Sequence, residues 1–199
     1  MNRCKMWHGV GKAVMGLGLL LFSLTSACAQ ADVPGVWLKI GLHLEQVALP
    51  GVSGLKYGLS PGLLIGAEYQ YKSKGNVTLF HSVEYSISIN KSYGTSNVLT
   101  THFGPRYVNK NNQVSLGLGG GYNLFRPSNP LYQIKDGDYV RKGSQGKWLA
   151  GATASYGHQL GRFMPYASYG FYVDTPFINS SSSILPHQLF QLGLKMAGS

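Results

Sequence analysis

The sequence predicts an all-β protein, an eight-stranded antiparallel up-and-down transmembrane β-barrel preceded by a signal peptide. Three observations lead there. Apolar residues recur at every second position in eight segments, a period that belongs to strands. One face of each segment is nearly charge-free while the other is polar or glycine. Short and long connections alternate along the chain, as they do in outer-membrane barrels.

The clearest unit is the stretch from Asn97 to Phe125. Leu99, Thr101, Phe103, Pro105 and Tyr107 share one face, with Thr100, His102, Gly104 and Arg106 on the other. Past the Asn-rich turn, Val114, Leu116, Leu118, Gly120, Tyr122 and Leu124 oppose Ser115, Gly117, Gly119, Gly121 and Asn123. The first strand, Val36 to Ala48, sets Leu38, Ile40, Leu42 and Leu44 against Lys39, Gly41, His43 and Glu45. The second, Gly62 to Lys72, sets Leu63, Ile65, Ala67, Tyr69 and Tyr71 against Gly66, Glu68 and Gln70. In the third, Asn76 to Asn90, two residues break the pattern: His81 falls on the oily face and Phe80 on the polar one. Strands six to eight span Lys147 to Gly157, Phe163 to Asp174 and His187 to Ala197. The links after strands two, four and six are expected to be short, and those after strands one, three, five and seven long, the longest being Arg126 to Gly146. Pro61, Pro105, Pro165 and Pro186, which cannot donate to a ladder, fall near expected strand ends.

Residues 1–29 read as a cleaved signal peptide and 30–199 as the barrel domain. Arg3, Lys5 and Lys12 precede the apolar run Ala13 to Leu24, and Ala27-Cys28-Ala29 supplies a small-x-small cleavage site. That run is too short to span a bilayer as a helix. Leu24-Thr-Ser-Ala-Cys28 also fits a lipoprotein box with Cys28 as the acylated residue, although Thr25 stands where Leu is usual. Cutting after Ala29 removes both cysteines, Cys4 and Cys28, so the mature fold has no disulfide. It also leaves 14 basic residues against 7 acidic, a net +7. These charges are scattered rather than interleaved with stacking aromatics, which excludes nucleic acid as a partner. One local basic group, Arg126, Lys135, Arg141, Lys142 and Lys147, lies in or beside the longest loop and suits anionic headgroups or lipopolysaccharide phosphates. With Tyr132 and Tyr139, that loop is the expected contact surface.

The two faces differ too much to be exchanged. Turned to water, the oily face would exceed the apolar patch that soluble proteins tolerate; turned to lipid, it is the required composition. The lumen then receives Lys39, Glu45, Glu68, Glu84, His102, Arg106 and Lys195 among many Gly and Ser residues, with both signs of charge available for pairing. Tyr71, Tyr107 and Tyr156 at one end of the strands, and Tyr122 and Trp148 at the other, form the expected aromatic belts.

Chemistry finds little footing. His81, Ser82 and Glu84 are close in sequence, but alternation throws His81 outward and the other two inward, so they form no triad. Ser82, His43 and His102 are able to meet in the lumen, where a lipid substrate does not reach them. Gly117-x-Gly119-Gly120-Gly121 lacks the helix and Lys-Ser/Thr of a phosphate cradle, and reads better as close strand packing. No two histidines have metal-site spacing on one strand. No catalytic residue, metal or cofactor is assigned.

The leader, the alternation, the even strand count and the turn asymmetry together resemble the small outer-membrane barrels of the OmpA/OmpX type, over Val36 to Ala197. The resemblance implies a monomer in the outer membrane of a Gram-negative envelope. It implies lipids and lipopolysaccharide as surroundings and the barrel-assembly machinery as a partner. It carries no residue-level motif. Where such barrels commonly end on an aromatic, this chain ends Leu194-Lys-Met-Ala-Gly-Ser199, with Phe190, Leu192, Leu194 and Met196 in its place. The expected role is non-enzymatic, with loops presented outward for surface interaction or envelope integrity. A lipid A-modifying enzyme and a narrow pore are the alternatives.

Overall fold

A computed structural model describes residues 35–46, 59–71, 75–91, 94–135, 138–175 and 185–198. The expected signal peptide, 1–29, lies outside the described residues. Eight strands close into an antiparallel barrel: β1 (Val36–Gln46), β2 (Ser60–Gln70), β3 (Val77–Asn90), β4 (Gly94–Asn109), β5 (Asn112–Pro127), β8 (Gln145–His158), β9 (Phe163–Thr175) and β10 (Leu185–Ala197). β1 pairs with both β2 and β10, so the sheet has no free edge. A ninth and tenth strand, β6 (Leu131–Lys135) and β7 (Asp138–Lys142), form a separate two-stranded sheet. That hairpin corrects the reading of Arg126 to Gly146 as plain loop, since Leu131 pairs with Lys142 and Ile134 with Tyr139.

The register fixes the tilt. A line across the strands from Gln46 runs through Gln188, Phe171, Ala152, Leu118, Phe103, His81 and Tyr69, and returns to β1 at Val36, ten residues earlier. A stagger larger than the number of strands inclines them to the barrel axis, at about 35–45°. The resulting lumen is narrow enough to be filled by side chains.

Alternation sorts the residues as a membrane wall requires. Leu118 is 72% exposed and Leu192 67%, whereas Glu68 is 2% and Arg106 1% exposed. His81 is exposed on the wall, where its Nε2 lies 2.7 Å from Thr101 Oγ1 and its neighbours across the strands are Tyr69 and Phe103. Phe80 is buried, and the Arg106 guanidinium lies 4.8 Å from its ring centroid, so the inward aromatic serves a buried cation.

Two expectations need correction. Long and short links do not alternate without exception: β3 and β4 are joined by only three residues, 91–93, because pairing continues to Asn90 and Gly94. Pro105 is not confined to a strand end; it lies inside β4, where the ladder to β5 skips Gly104 and Pro105 while the ladder to β3 continues. A residue without an N–H interrupts pairing on one side only. The links at one end are 71–76, 110–111 and 159–162, with 47–59, 91–93, the hairpin-bearing 128–144 and 176–184 at the other. These are the short-turn end and the long-loop end.

The glycine run in β5 is explained by close approach. A Cβ on Gly119 would stand 2.6 Å from the His102 ring and collide with the Thr101 carbonyl. Tyr172 lies in the same way over Gly151 and Gly170, where added Cβ atoms would come within 2.6 and 2.5 Å of its ring. Bare backbone on three strands makes room for two rings in the lumen. Gly119→Val is expected to lower stability by about 1–3 kcal/mol through overpacking, measured by urea unfolding in detergent. Lys110 holds φ 52° in the β4–β5 turn, which costs a side-chain-bearing residue about 1 kcal/mol. Lys110→Gly is therefore expected to raise the unfolding midpoint in the same assay.

Candidate functional site

The lumen is the most densely charged region among the described residues. Lys39, Glu68, Glu84, His102, Arg106 and Lys195 are all buried there, with Glu45 close by. In the half nearer the short turns, Glu68 accepts from Arg106 Nη2 at 2.5 Å and from Lys195 Nζ at 2.9 and 3.1 Å. The Tyr166 ring faces Lys39 and Lys195, whose ammonium groups lie 5.0 and 5.4 Å from its centroid. At mid-height Lys39 donates to Glu84, and Ser82 Oγ donates to the same carboxylate at 3.2 Å. His102 Nδ1 lies 3.5 Å from Ser82 Oγ and 3.9 Å from Glu84, and its Nε2 meets the Tyr172 hydroxyl at 2.9 Å.

A further cluster occupies the half nearer the long loops. His187 joins two strands, with Nδ1 at 2.7 Å from Glu45 and Nε2 at 3.1 Å from Asp174. Ser88 donates to Glu45 at 2.5 Å, Asn123 donates to Asp174 at 3.2 Å, and Lys147 Nζ lies 3.8 Å from Asp174. Lys147 is thus a lumen residue, 4% exposed, which corrects its grouping with the loop cations. Four cations, Lys39, Arg106, Lys147 and Lys195, face four carboxylates, Glu45, Glu68, Glu84 and Asp174. Asp174, His187, Lys147 and Tyr172 are missing from the expected set, yet each falls on the inward parity of its strand. The expected strands already reach Lys147, Asp174 and His187, so counting by twos to their ends finds all four.

Above Glu84 and Tyr172 the lumen holds a cavity lined by residues of all eight barrel strands. Its polar wall includes His43, Glu45, Ser88, Asn123 and His187, and its apolar wall includes Leu64, Val98, Leu149 and Leu189. No group of three His, Cys, Asp or Glu side chains suited to a metal ion occurs among the described residues.

The aromatic residues assigned to the belts stand on the outer wall. Tyr71, Tyr107, Tyr122, Tyr156 and Trp148 are all exposed. Near the short turns, the Tyr71 ring lies edge-on to Tyr69 at 4.9 Å and to Phe103 at 6.3 Å, and the Tyr156 hydroxyl donates to Asn112 at 2.7 Å. Near the long loops, Tyr122 and Trp148 pair across β5 and β8 with ring centroids 5.2 Å apart. Of the expected contact residues, Arg126 is exposed near the end of β5 rather than in a loop. Lys135, Arg141 and Lys142 belong to β6 and β7, and their side chains lie outside the described residues. Tyr132 and Tyr139 are exposed on that hairpin.

A closed eight-strand barrel with an apolar exterior, aromatic belts and a charged interior is the fold of the small outer-membrane barrels of the OmpA/OmpX type. Solved structures agree. Neisserial surface protein A is 12% identical, with 81% of this chain and 96% of that one covered at a TM-score of 0.52. A structure of Ail, the attachment invasion locus protein of Yersinia pestis, is 15% identical, with 83% and 99% covered at a TM-score of 0.50. At such identities the likeness is one of fold. No family model and no curated protein matches the sequence.

Taking one member from a buried ion cluster leaves its partners charged and without a counter-ion. Glu68→Gln strands both Arg106 and Lys195 and is expected to cost about 3–5 kcal/mol. Urea unfolding followed by the heat-dependent gel shift reads that loss; a change below about 1 kcal/mol would mean that Glu68 does not hold the cluster together.

Proposed function

We propose that this chain is a non-enzymatic integral protein of the outer membrane, anchored by its barrel and acting through the loops of the long-loop end. One observation carries the reading: the large apolar side chains stand exposed on the wall while the charges pair inside. Such a wall calls for hydrocarbon, and a lumen filled by ion pairs leaves the loops as the place to meet a partner. In this reading the short turns face the periplasm and the β6–β7 hairpin faces outward. The partner class is an anionic polymer of the envelope surface, with lipopolysaccharide the nearest at hand. Arg126, Lys135, Arg141 and Lys142 supply positive charge around Tyr132 and Tyr139. The Ail structure is described as a complex with the heparin analogue sucrose octasulfate, an anion of comparable chemistry.

Two other readings have less support. A lipid-modifying hydrolase would need Ser82 activated by His102, but Ser82 is 1% exposed and approaches the Nδ1 that also faces Glu84. The imidazole does not stand between serine and acid, and Tyr172 occupies its other nitrogen. A pore would require the Lys39–Glu84 and Glu68 clusters to separate.

Two measurements test the proposal. The mature chain is expected to stay with outer membranes through a carbonate wash and to migrate differently on unheated gels. Replacing residues 129–144 by a short Gly-Ser turn is expected to preserve both properties while reducing co-sedimentation with lipopolysaccharide about tenfold, in a salt-sensitive manner. Unchanged co-sedimentation would contradict the assignment to the hairpin, and release by carbonate would contradict the membrane anchor.

A further inference from the structure

The cavity in the half of the lumen nearer the long loops receives uncharged polar side chains from two opposite sides of the barrel. Asn123 and Thr100 line it from β5 and β4, and His43 and Gln191, paired across β1 and β10, line it from the other side. The Asn123 amide nitrogen donates to Asp174, which fixes the orientation of the side chain, and its Oδ1 is left a buried acceptor without a partner. His43 Nδ1 is buried and unpartnered as well, and it donates or accepts according to the tautomer. Leu64 of β2 and Leu149 of β8, on strands between these two sides, give the cavity apolar walls, and there is room for a few waters or a ligand of a few heavy atoms.

The charge around that space is balanced. His187 sets one ring nitrogen against Glu45 and the other against Asp174, so both nitrogens carry a proton and the ring is a cation. With Lys39 on Glu84 and Lys147 beside Asp174, three cations meet three carboxylates. A ligand ion of either sign would enter without a counter-ion, whereas a neutral molecule leaves the balance as it is.

We propose that this cavity is a binding site for a small neutral polyol of the size of glycerol. A hydroxyl group both donates and accepts. One hydroxyl donates to Asn123 Oδ1 beside Thr100, and another meets His43 Nδ1 beside Gln191 in whichever tautomer the ring adopts. The carbon chain between them packs its C–H groups on Leu64 and Leu149, a contact that water in the same space does not make. The site is separate from the loop surface and does not depend on what the loops bind.

The test uses the mature barrel in zwitterionic nanodiscs, titrated with glycerol, n-propylammonium and propionate and followed by amide NMR. Saturable shifts at residues 43, 123 and 191 are expected with glycerol, and about tenfold weaker binding with both ions. Asn123→Leu, of similar volume, is expected to weaken glycerol about tenfold. Thr100→Val, which removes a hydroxyl isosterically and lies outside the ion pairs, provides a second variant should the first fail to give the folded gel mobility, with an expected weakening of about threefold. Shifts that rise with glycerol without saturating, comparable binding of either ion, or folded variants that titrate like the parent would each overturn the proposal, leaving a hydrated cavity and no ligand site.

Discussion

Charge neutrality inside a closed, narrow cylinder is the constraint on which the rest of this structure depends. An unpaired ion is costly there, and water has little room to relieve the cost. Glu68 resolves it by taking two cations from two other strands, Arg106 of β4 and Lys195 of β10. Glu84 binds Lys39 across β1 and β3, and Asp174 gathers His187, Asn123 and Lys147. These contacts join strands far apart in the chain, between β2 and β10 and between β5 and β9. They add cross-links through the lumen to the hydrogen-bonded ladders of the wall.

The glycines and aromatics follow from the same confinement. A lumen of eight strands has no space for a full complement of large side chains, so each ring needs bare backbone opposite it. His102 rests on Gly119, and Tyr172 on Gly151 and Gly170. The Gly-rich run in β5, which superficially suggests a phosphate loop, is part of this arrangement. Phe80, apparently misplaced on an inward position, stacks beneath Arg106. The two residues that break the alternation of β3 thus have different accounts, since His81 is on the wall between Tyr69 and Phe103, at the level of the aromatic belt.

The fold was legible because a period of two is a local property, readable strand by strand without knowing what lies opposite. Leu116, Leu192, Glu68 and Arg106 all took the faces that their parity implies. Partnership was less legible. Nothing local to Asp174 indicates that His187 and Asn123 will meet it, because that depends on the ten-residue stagger of the whole barrel. Lys147 was read with the loop cations because it follows them in sequence, although its inward parity was available. The β6–β7 hairpin was missed for a different reason: its strands have five residues each and no face clearly apolar enough to register as alternation. Pro105 shows the limit of strand-end rules, since a single residue without an N–H is absorbed by omitting pairing on one side of β4.

The central claim is that the oily face of each strand touches hydrocarbon and the charged face is enclosed. Nitroxide labels placed one at a time along β5 from 114 to 118, in bilayers, address it most directly. Labels at Val114, Leu116 and Leu118 are expected to collide readily with dissolved oxygen and poorly with a water-soluble nickel complex, while those at Ser115 and Gly117 meet neither. Free access of the nickel complex to position 116, or the reverse alternation, would contradict the account.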